Sequence, residues 1–410
     1  MKADSPCRFC GAPLTESFAD LGMSPLSNAY VSAEQRNRAE LTYPLHAWVC
    51  GECKLVQLEE FESRERIFSD YLYFSSYSDS WLEHCKAYAQ SVIARFGLRC
   101  DSRVIEVASN DGYLLQYFKA AGIPVLGVEP AANVAAAAVA RGIPSEVAFF
   151  GADTASRLAA RGCAADLMAA NNVLAHVPDI NDFVAGFAIL LKPAGVATFE
   201  FPSLHRLMAD SQFDTIYHEH FSYLSLLLVE QLMARHGLRV FDVEELWTHG
   251  GSLRVYACHH AASHDMADGV EAQRRREREF GLRDPTTYRS FAHKLVEIKA
   301  QVLEFFLTAR RQGKRIAGYG APAKGNTLLN YCGIGPEFLP FTVDRSPYKQ
   351  GMLLPGSRIP VLHPDAIFEA KPDYILILPW NLRDEIAAQM AAVRGWGGRF
   401  VVPIPAVDIF

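Results

Sequence analysis

The stretch Val104-Ile105-Glu106-Val107-Ala108-Ser109-Asn110-Asp111-Gly112 decides how the chain is read. Its first four residues are mostly β-branched and predict a strand. Small and polar residues then make a turn that closes on Gly112. Residues 113–122, YLLQYFKAAG, read as a helix, and PVLGVEP (124–130) reads as a second strand ending in Glu129-Pro130. The alternation continues through ADLMAANNVLAHV (165–177), a strand and turn, and NDFVAGFAILLKPAG (181–195), a helix with a Pro-Gly stop. VATFEFP (196–202) adds a further strand. This βαβ succession over 103–201 predicts a mainly parallel sheet with ligands at the C-terminal strand ends.

On either side the pattern changes. Residues 264–312 are helical and charge-rich, with EAQRRREREFGLRD (271–284) reading as a solvated face. From KRIAGYG (314–320) to the C-terminus runs a second α/β unit, with strands expected near 315–319, 340–343, 373–378 and 399–403. The expected division is 1–70, 71–262, 263–312 and 313–410. At 410 residues and 50% hydrophobic, the chain can build two or three cores. The formal charge of -6 gives no basic field for nucleic acid or an anionic membrane. The opening MKADSPCRFCG lacks a signal-peptide core, and the longest apolar runs are too short to span a bilayer.

Of nine cysteines, Cys7, Cys10, Cys50 and Cys53 form two Cys-x-x-Cys pairs, and the other five are scattered. Glycines at each pair make tight turns, so two knuckles supply four thiolates to one closed, tetrahedral, structural Zn²⁺. Four thiolates leave no open coordination position for catalysis. A reducing, cytoplasmic home follows from this cysteine usage and the lack of an export signal.

The turn after Val107 differs from a dinucleotide fingerprint, because an acid precedes it and the phosphate-fitting glycines are missing. Glu106, Ala108, Ser109, Asn110, Asp111 and Gly112 suit a cationic cofactor, S-adenosylmethionine. Glu129, beside Pro130, is placed to accept ribose hydroxyls, and Asn171 and Asn172 lie where an adenine or methionine end would rest. The bland alternative is a doubly wound domain that binds NAD or nothing. In the C-terminal unit, Gly318-Tyr319-Gly320-Ala321-Pro322-Ala323-Lys324-Gly325-Asn326 runs from a strand into a helix start. Small residues and the Lys324 charge there could cradle a diphosphate, or the turn could be packed for its own sake. Asp344, Arg345 and Lys349 suit a nucleoside and its phosphates.

Tyr217-His218-Glu219-His220, followed by Phe221-Ser222-Tyr223, is the densest polar packet in the chain. A metal reading is poor, since ligands are not paired at helical i, i+4 spacing. The segment DYLYFSSYSDSW (70–81) carries Tyr71, Tyr73, Ser75 and Ser76, which are either a packed loop or pocket-lining groups.

Across nearly the whole chain, in order, the motifs CRFC…CGEC, YLYFSSYSDSW, EVASNDGYLL, NNVLAHVPD, YHEHFSYLS, GYGAPAKGNTLLN and VDRSPYKQGMLLPGSRIPV occur. In these the sequence resembles the three-domain S-adenosylmethionine-dependent C-methyltransferases of nucleotide-linked keto-deoxysugars. Ala108 departs mildly from the family's usual glycine. The resemblance implies an N-terminal zinc domain, a central Rossmann-like class I methyltransferase domain and a C-terminal Rossmann-like domain that holds the nucleotide. It implies methyl transfer to sugar C3 of a 4-keto substrate, with His220 as base, Glu219 orienting it or binding a sugar hydroxyl, and Tyr217 on the substrate. His176 would contact the enolate oxygen or the C3 region, and Tyr71 or Tyr73 would close the pocket. A monomer is the default, and the nucleotide, dTDP or GDP, stays open. The competing readings are an O- or N-methyltransferase, a non-catalytic zinc and nucleotide module, and an NAD-linked oxidoreductase.

Overall fold

The computed structural model describes residues 5–63, 76 and 79–410. β1 (Glu16–Ser24), β2 (Tyr43–Val49) and β3 (Val56–Leu58) form an antiparallel meander beside the two cysteine knuckles. The long helix Asp79–Phe96 leads into the central sheet.

That sheet contains β4 (Val104–Val107), β5 (Val125–Val128), β6 (Ser145–Glu146), β7 (Ala165–Asn171) and β8 (Leu191–Pro202). The chain then leaves it for β9 (Ser222–Tyr223), which pairs with β3, and returns as β10 (Leu238–Leu246) and β11 (Ser252–His259). The order is β10-β11-β8-β7-β4-β5-β6, with β11 antiparallel to both neighbours and the other pairings parallel. Along β4, Val104 belongs to the core that holds Tyr88, Phe118 and Tyr256, and Ile105 to the core that holds Met168, Phe183 and Phe199. The pleat sends successive residues to opposite layers, so the strand is apolar on both faces and reads as a continuous run.

One boundary differs from the sequence reading. β8 begins directly at Leu191 and passes through Pro193, where a helix stop was expected at 193–195. Its pairing with β7 is irregular between Ala165 and Leu167, and a strand start without regular pairing tolerates a missing N–H.

The charge-rich segment forms two helices, Asp268–Phe280 and Pro285–Arg311. Its arginines make surface ion pairs, such as Arg274–Glu230 at 2.6 Å and Arg276–Glu245 at 3.3 Å. Glu277 is buried, however, and accepts from the N–H groups of Leu226 and Leu227 at the start of the helix Leu226–Arg235. On the long helix Tyr288, Phe291, Leu295, Ile298, Val302 and Phe306 repeat at helical spacing and face inward. Phe291 stacks on Phe18 of β1 at 4.7 Å, in a core that also holds Leu328 and Leu376 of the C-terminal unit.

The C-terminal sheet contains β12 (Ile316–Tyr319), β13 (Thr342–Val343), β14 (Val361–Leu362), β15 (Tyr374–Ile377), β16 (Arg399–Val402) and β17 (Asp408–Ile409). Its order is β14-β13-β12-β15-β16-β17, parallel except at β17. The four expected strands are present, and the two-residue β14 and β17 are too short to show a period. Among the described residues no helix is long and apolar enough to cross a membrane.

Candidate active site

The parallel register places Glu106 beside Ala169, Val107 beside Val128, and Asn171 beside Glu200. The turn after β4, Glu129 after β5 and the Asn171-Asn172 pair at β7 therefore share one sheet edge. The turn is tightly wound: Ala108, Asn110 and Gly112 have φ of 57°, 48° and 79°. A Cβ on Gly112 would lie 2.9 Å from Ile143 Cγ1, so glycine is required there. Glu129 fixes the turn from behind, one oxygen accepting from Asn110 N and the other from Ala131 N, both at 2.9 Å. Arg141 donates to Asp111 at 2.9 Å, and Ser76 also donates to that carboxylate.

Buried acceptor atoms accumulate at this edge. Asp111 Oδ1, Asn171 Oδ1 and Asn172 Oδ1 have no hydrogen-bond donor among the described residues, and the buried Glu106 carboxyl has only the Tyr113 hydroxyl as a neighbouring donor. Burial raises the Glu106 carboxyl well above its ordinary value, with Glu129 and Asp111 adding to the effect. A cationic ligand rich in N–H and O–H donors fits such an edge, and a diphosphate does not. S-Adenosylmethionine, with its ammonium, ribose hydroxyls and adenine amino group, has the required donors.

The Tyr217–His220 loop sits against this edge. His220 Nδ1–H donates to Thr215 O at 2.8 Å, which leaves the lone pair on Nε2, and Nε2 accepts from the Tyr217 hydroxyl at 2.7 Å. His176 Nδ1–H donates to the Glu219 carbonyl at 2.8 Å, and its ring meets His220 edge-on at 4.6 Å. Burial drives both imidazoles toward the neutral form, His176 to about 4 and His220 well below its ordinary value, with His176, then His249 and last Lys324 contributing to the latter. The Glu219 carboxylate turns away from His220 and accepts from Asn28 Nδ2 at 2.7 Å, and burial pushes it up to about 7. Orientation of His220 therefore belongs to Thr215 and Tyr217 and not to the Glu219 carboxylate.

Sequence reasoning missed several groups in this place. His249, in the left-handed region with φ 54°, contacts Asn172 at 3.3 Å. Asp214 is buried, accepts from Trp380 Nε1 at 2.7 Å and is pushed up to about 6. None lies in a dense motif, so no local signal marks them.

The C-terminal unit supplies the facing wall. Gly320 has φ 89°, and a Cβ there would lie 2.5 Å from Pro379 Cδ, while Gly318 and Gly325 pack against Thr342 and Leu378. Ala321 N–H donates to Asp344 Oδ2 at 2.7 Å, and Ala321 O accepts from Lys349 at 2.8 Å and from Tyr30. Asn326 is buried and donates to Ser27 O at 2.6 Å. Tyr319 is buried, Arg345 is exposed, and Lys324 reaches Asn381 Oδ1 at 2.7 Å. Tyr71 and Tyr73 lie outside the described residues.

Cys7, Cys10, Cys50 and Cys53 place their Sγ atoms within 4.8 Å of one another, with Cys7–Cys53 and Cys10–Cys50 at 3.5 Å. A tetrahedron with Zn–S of about 2.3 Å needs sulfurs near 3.8 Å apart, so four thiolates fit a closed structural zinc site. Hydrogen bonds from Cys50 and Cys53 hold the Cys7 thiol well below its ordinary value. The knuckle also supports the active loops. Arg8 donates to Pro178 O at 2.8 Å and lies over the Phe221 ring at 5.3 Å, and Gln57 Nε2 donates to Cys7 Sγ at 3.1 Å.

Comparison with known proteins matches three successive segments of the chain. Residues 7–68 match a zinc binding domain family, 81–243 a methyltransferase domain and 247–405 the C-methyltransferase C-terminal domain. The chain is 38% identical over 399 residues to the C-methyltransferase NovU of Streptomyces niveus, covering 97% of this chain and 95% of that protein. A solved S-adenosylmethionine-dependent methyltransferase from Clostridium acetobutylicum is 11% identical with a TM-score of 0.36, over 43% of this chain and 91% of its own. Magnesium protoporphyrin IX methyltransferase from Synechocystis is 15% identical with a TM-score of 0.33, over 47% and 88%. With a zinc knuckle, a methyltransferase sheet and a second α/β unit matched end to end, the chain belongs to the family of three-part S-adenosylmethionine-dependent C-methyltransferases.

Proposed function

We propose that this enzyme transfers a methyl group to C3 of a nucleotide-linked 4-keto-6-deoxyhexose or its 2,6-dideoxy form, in the making of branched deoxysugars. The observation that carries this reading is the tautomer of His220. Its Nδ1–H is committed to Thr215 O, so Nε2 is a base within the cleft beside the cofactor edge. A ketone at C4 acidifies the C3 proton enough for a neutral imidazole to remove it, help that is typically worth about 10²–10⁴-fold.

When bound, S-adenosylmethionine supplies an electrophilic methyl on a sulfonium. Glu106, Asp111, Asn171 and Asn172 hold its donor-rich ends, and the turn at 108–112 lets backbone approach it. Tyr217 exchanges its acceptor, from His220 Nε2 to the substrate's keto oxygen, as the sugar enters. His176 lines the C3 side, its ring fixed through the Glu219 carbonyl, and Glu219 itself is left to meet a sugar hydroxyl. The nucleotide lies along the C-terminal unit near Asp344, Arg345 and Lys349. We divide the chain at 1–70, 71–262, 263–312 and 313–410 and place the reaction in the cytoplasm, where thiols stay reduced. All the groups named come from one chain, so a monomer suffices.

The test is incubation of nucleoside-diphosphate 4-keto-6-deoxy and 4-keto-2,6-dideoxy sugars with protein and S-adenosylmethionine. Mass spectrometry should find one added methyl, and NMR should place it on carbon. His220→Asn should cut turnover about 10²–10⁴-fold with substrate binding kept. A methyl on oxygen, or an undiminished His220→Asn rate, refutes the reading.

A further inference from the structure

Moving the C3 proton to His220 leaves negative charge on the keto oxygen. Burial drives the imidazoles of His176 and His220 toward the neutral form, so neither provides the opposing charge. Lys324 can. It lies in the first turn of the helix Ala323–Cys332, and three residues on, Thr327 donates to Ile216 O at 3.0 Å. Side chains at i and i+3 share a helix face, so Lys324 and Thr327 address the same segment leading into Tyr217.

One indole fixes the ammonium in this place. Lys324 Nζ lies 4.5 Å from the centre of the Trp380 ring and donates to Asn381 Oδ1 at 2.7 Å. The same ring donates through Nε1 to Asp214 at 2.7 Å, three residues before Tyr217. It also packs on Gly250, where a Cβ would lie 2.5 Å from Trp380 Cη2, beside the His249 that contacts Asn172. The ammonium thus faces the junction of the base loop and the cofactor edge. Its field reaches the base, since Lys324 makes a small contribution to lowering His220.

The diphosphate role that the sequence suggests for this turn fits less well. Asp344 already takes the Ala321 N–H, so that donor is not free for a phosphate. The glycines are filled against Pro379 and Leu378.

We propose that Lys324 is a catalytic residue whose ammonium stabilises the enolate oxygen at C4, and that it is not a diphosphate ligand. The inference rests on the reaction proposed above. The C3–H bond breaks, the proton goes to His220 Nε2, and the electron pair forms the C3–C4 double bond while the carbonyl pair moves to oxygen against Lys324. That pair returns as C3 bonds to the methyl carbon and the sulfur–carbon pair leaves with sulfur.

The experiment compares wild type with Lys324→Met and Lys324→Arg. Wild-type carbon methylation is established first, because methylation on oxygen would overturn the reaction before any variant is measured. Lys324→Met should then lose about 10²–10³-fold in kcat, the scale of one lost oxyanion donor, and Lys324→Arg should recover part of it. Exchange of the C3 hydrogen with deuterated solvent should slow with kcat, and calorimetric affinity for dTDP and GDP alone should not change. Retained kcat, or weakened nucleoside diphosphate affinity with or without lost kcat, overturns the proposal. If Lys324→Met melts below the assay temperature, Lys324→Gln replaces it under the same criteria.

Discussion

Glu219 and Ala108 are the residues at which local chemistry and the fold pull in opposite directions. The Glu219 carboxyl is pushed up to about 7 by burial and held by Asn28. Its folded value lies above the unfolded one, so the native state binds the extra proton between about pH 4.5 and 7, and this group's contribution to stability falls as pH rises through that window. Glu219→Gln should therefore melt higher than wild type at pH 8, by about 1–3 kcal/mol, and the gap should close near pH 5. The lowered His176 acts in the opposite sense. It takes a proton only near 4 when folded, so stability is lost as pH falls from about 6.5 toward 4 in both proteins. Thermal melts across pH separate the two trends, and a constant gap would refute the Glu219 assignment. Ala108 sits at φ 57°, which costs an L-residue about 1–2 kcal/mol. Ala108→Gly removes that strain but adds about 0.5–1 kcal/mol of unfolded-chain entropy, so the expected melting temperature is equal or higher.

At the scale of elements, the two-residue strand β9 connects chemistry to metal. It follows the Tyr217–His220 loop directly and pairs with β3, Tyr223 opposite Val56 and Ser222 opposite Gln57. Gln57 donates to a knuckle sulfur, and Arg8, inside the knuckle, reaches both Pro178 and Phe221. Removing zinc with a chelator should therefore release the support of His176 and His220 together. A displacement near 1 Å can cost about 10²-fold in rate, so kcat should fall on that scale while calorimetric affinity for S-adenosylmethionine persists. A chelated protein with full kcat would show that the knuckle does not position the loop. None of this was legible from the cysteine spacing, which reports ligand number and geometry but not which distant strand completes the sheet.

For the whole molecule, the three parts meet where segment 25–31 of the zinc unit is pinned to the C-terminal unit. Ser27 O accepts from Asn326, Tyr30 donates to Ala321 O, and Val31 pairs with Leu353. Asn326→Ala leaves a buried carbonyl without its donor, a loss of about 1–3 kcal/mol, and should lower the melting temperature with little change in kcat at a temperature where the fold holds. A variant with unchanged melting but lost turnover would place Asn326 on the substrate instead. The sequence by itself determined the parallel sheet, the thiolate set, the acid-bearing turn and the dense Tyr217–His220 packet. Those depend on periodicity and on residues adjacent in the chain, where short-range sterics and ligand chemistry decide. Only the tertiary structure decided that Thr215 sets the His220 tautomer, that Glu219 faces Asn28, and that Trp380 carries Lys324 to the base loop. These contacts join segments up to 191 residues apart. Burial in a shared cleft, a property of packed surfaces and not of any one stretch of chain, fixes their charge and direction.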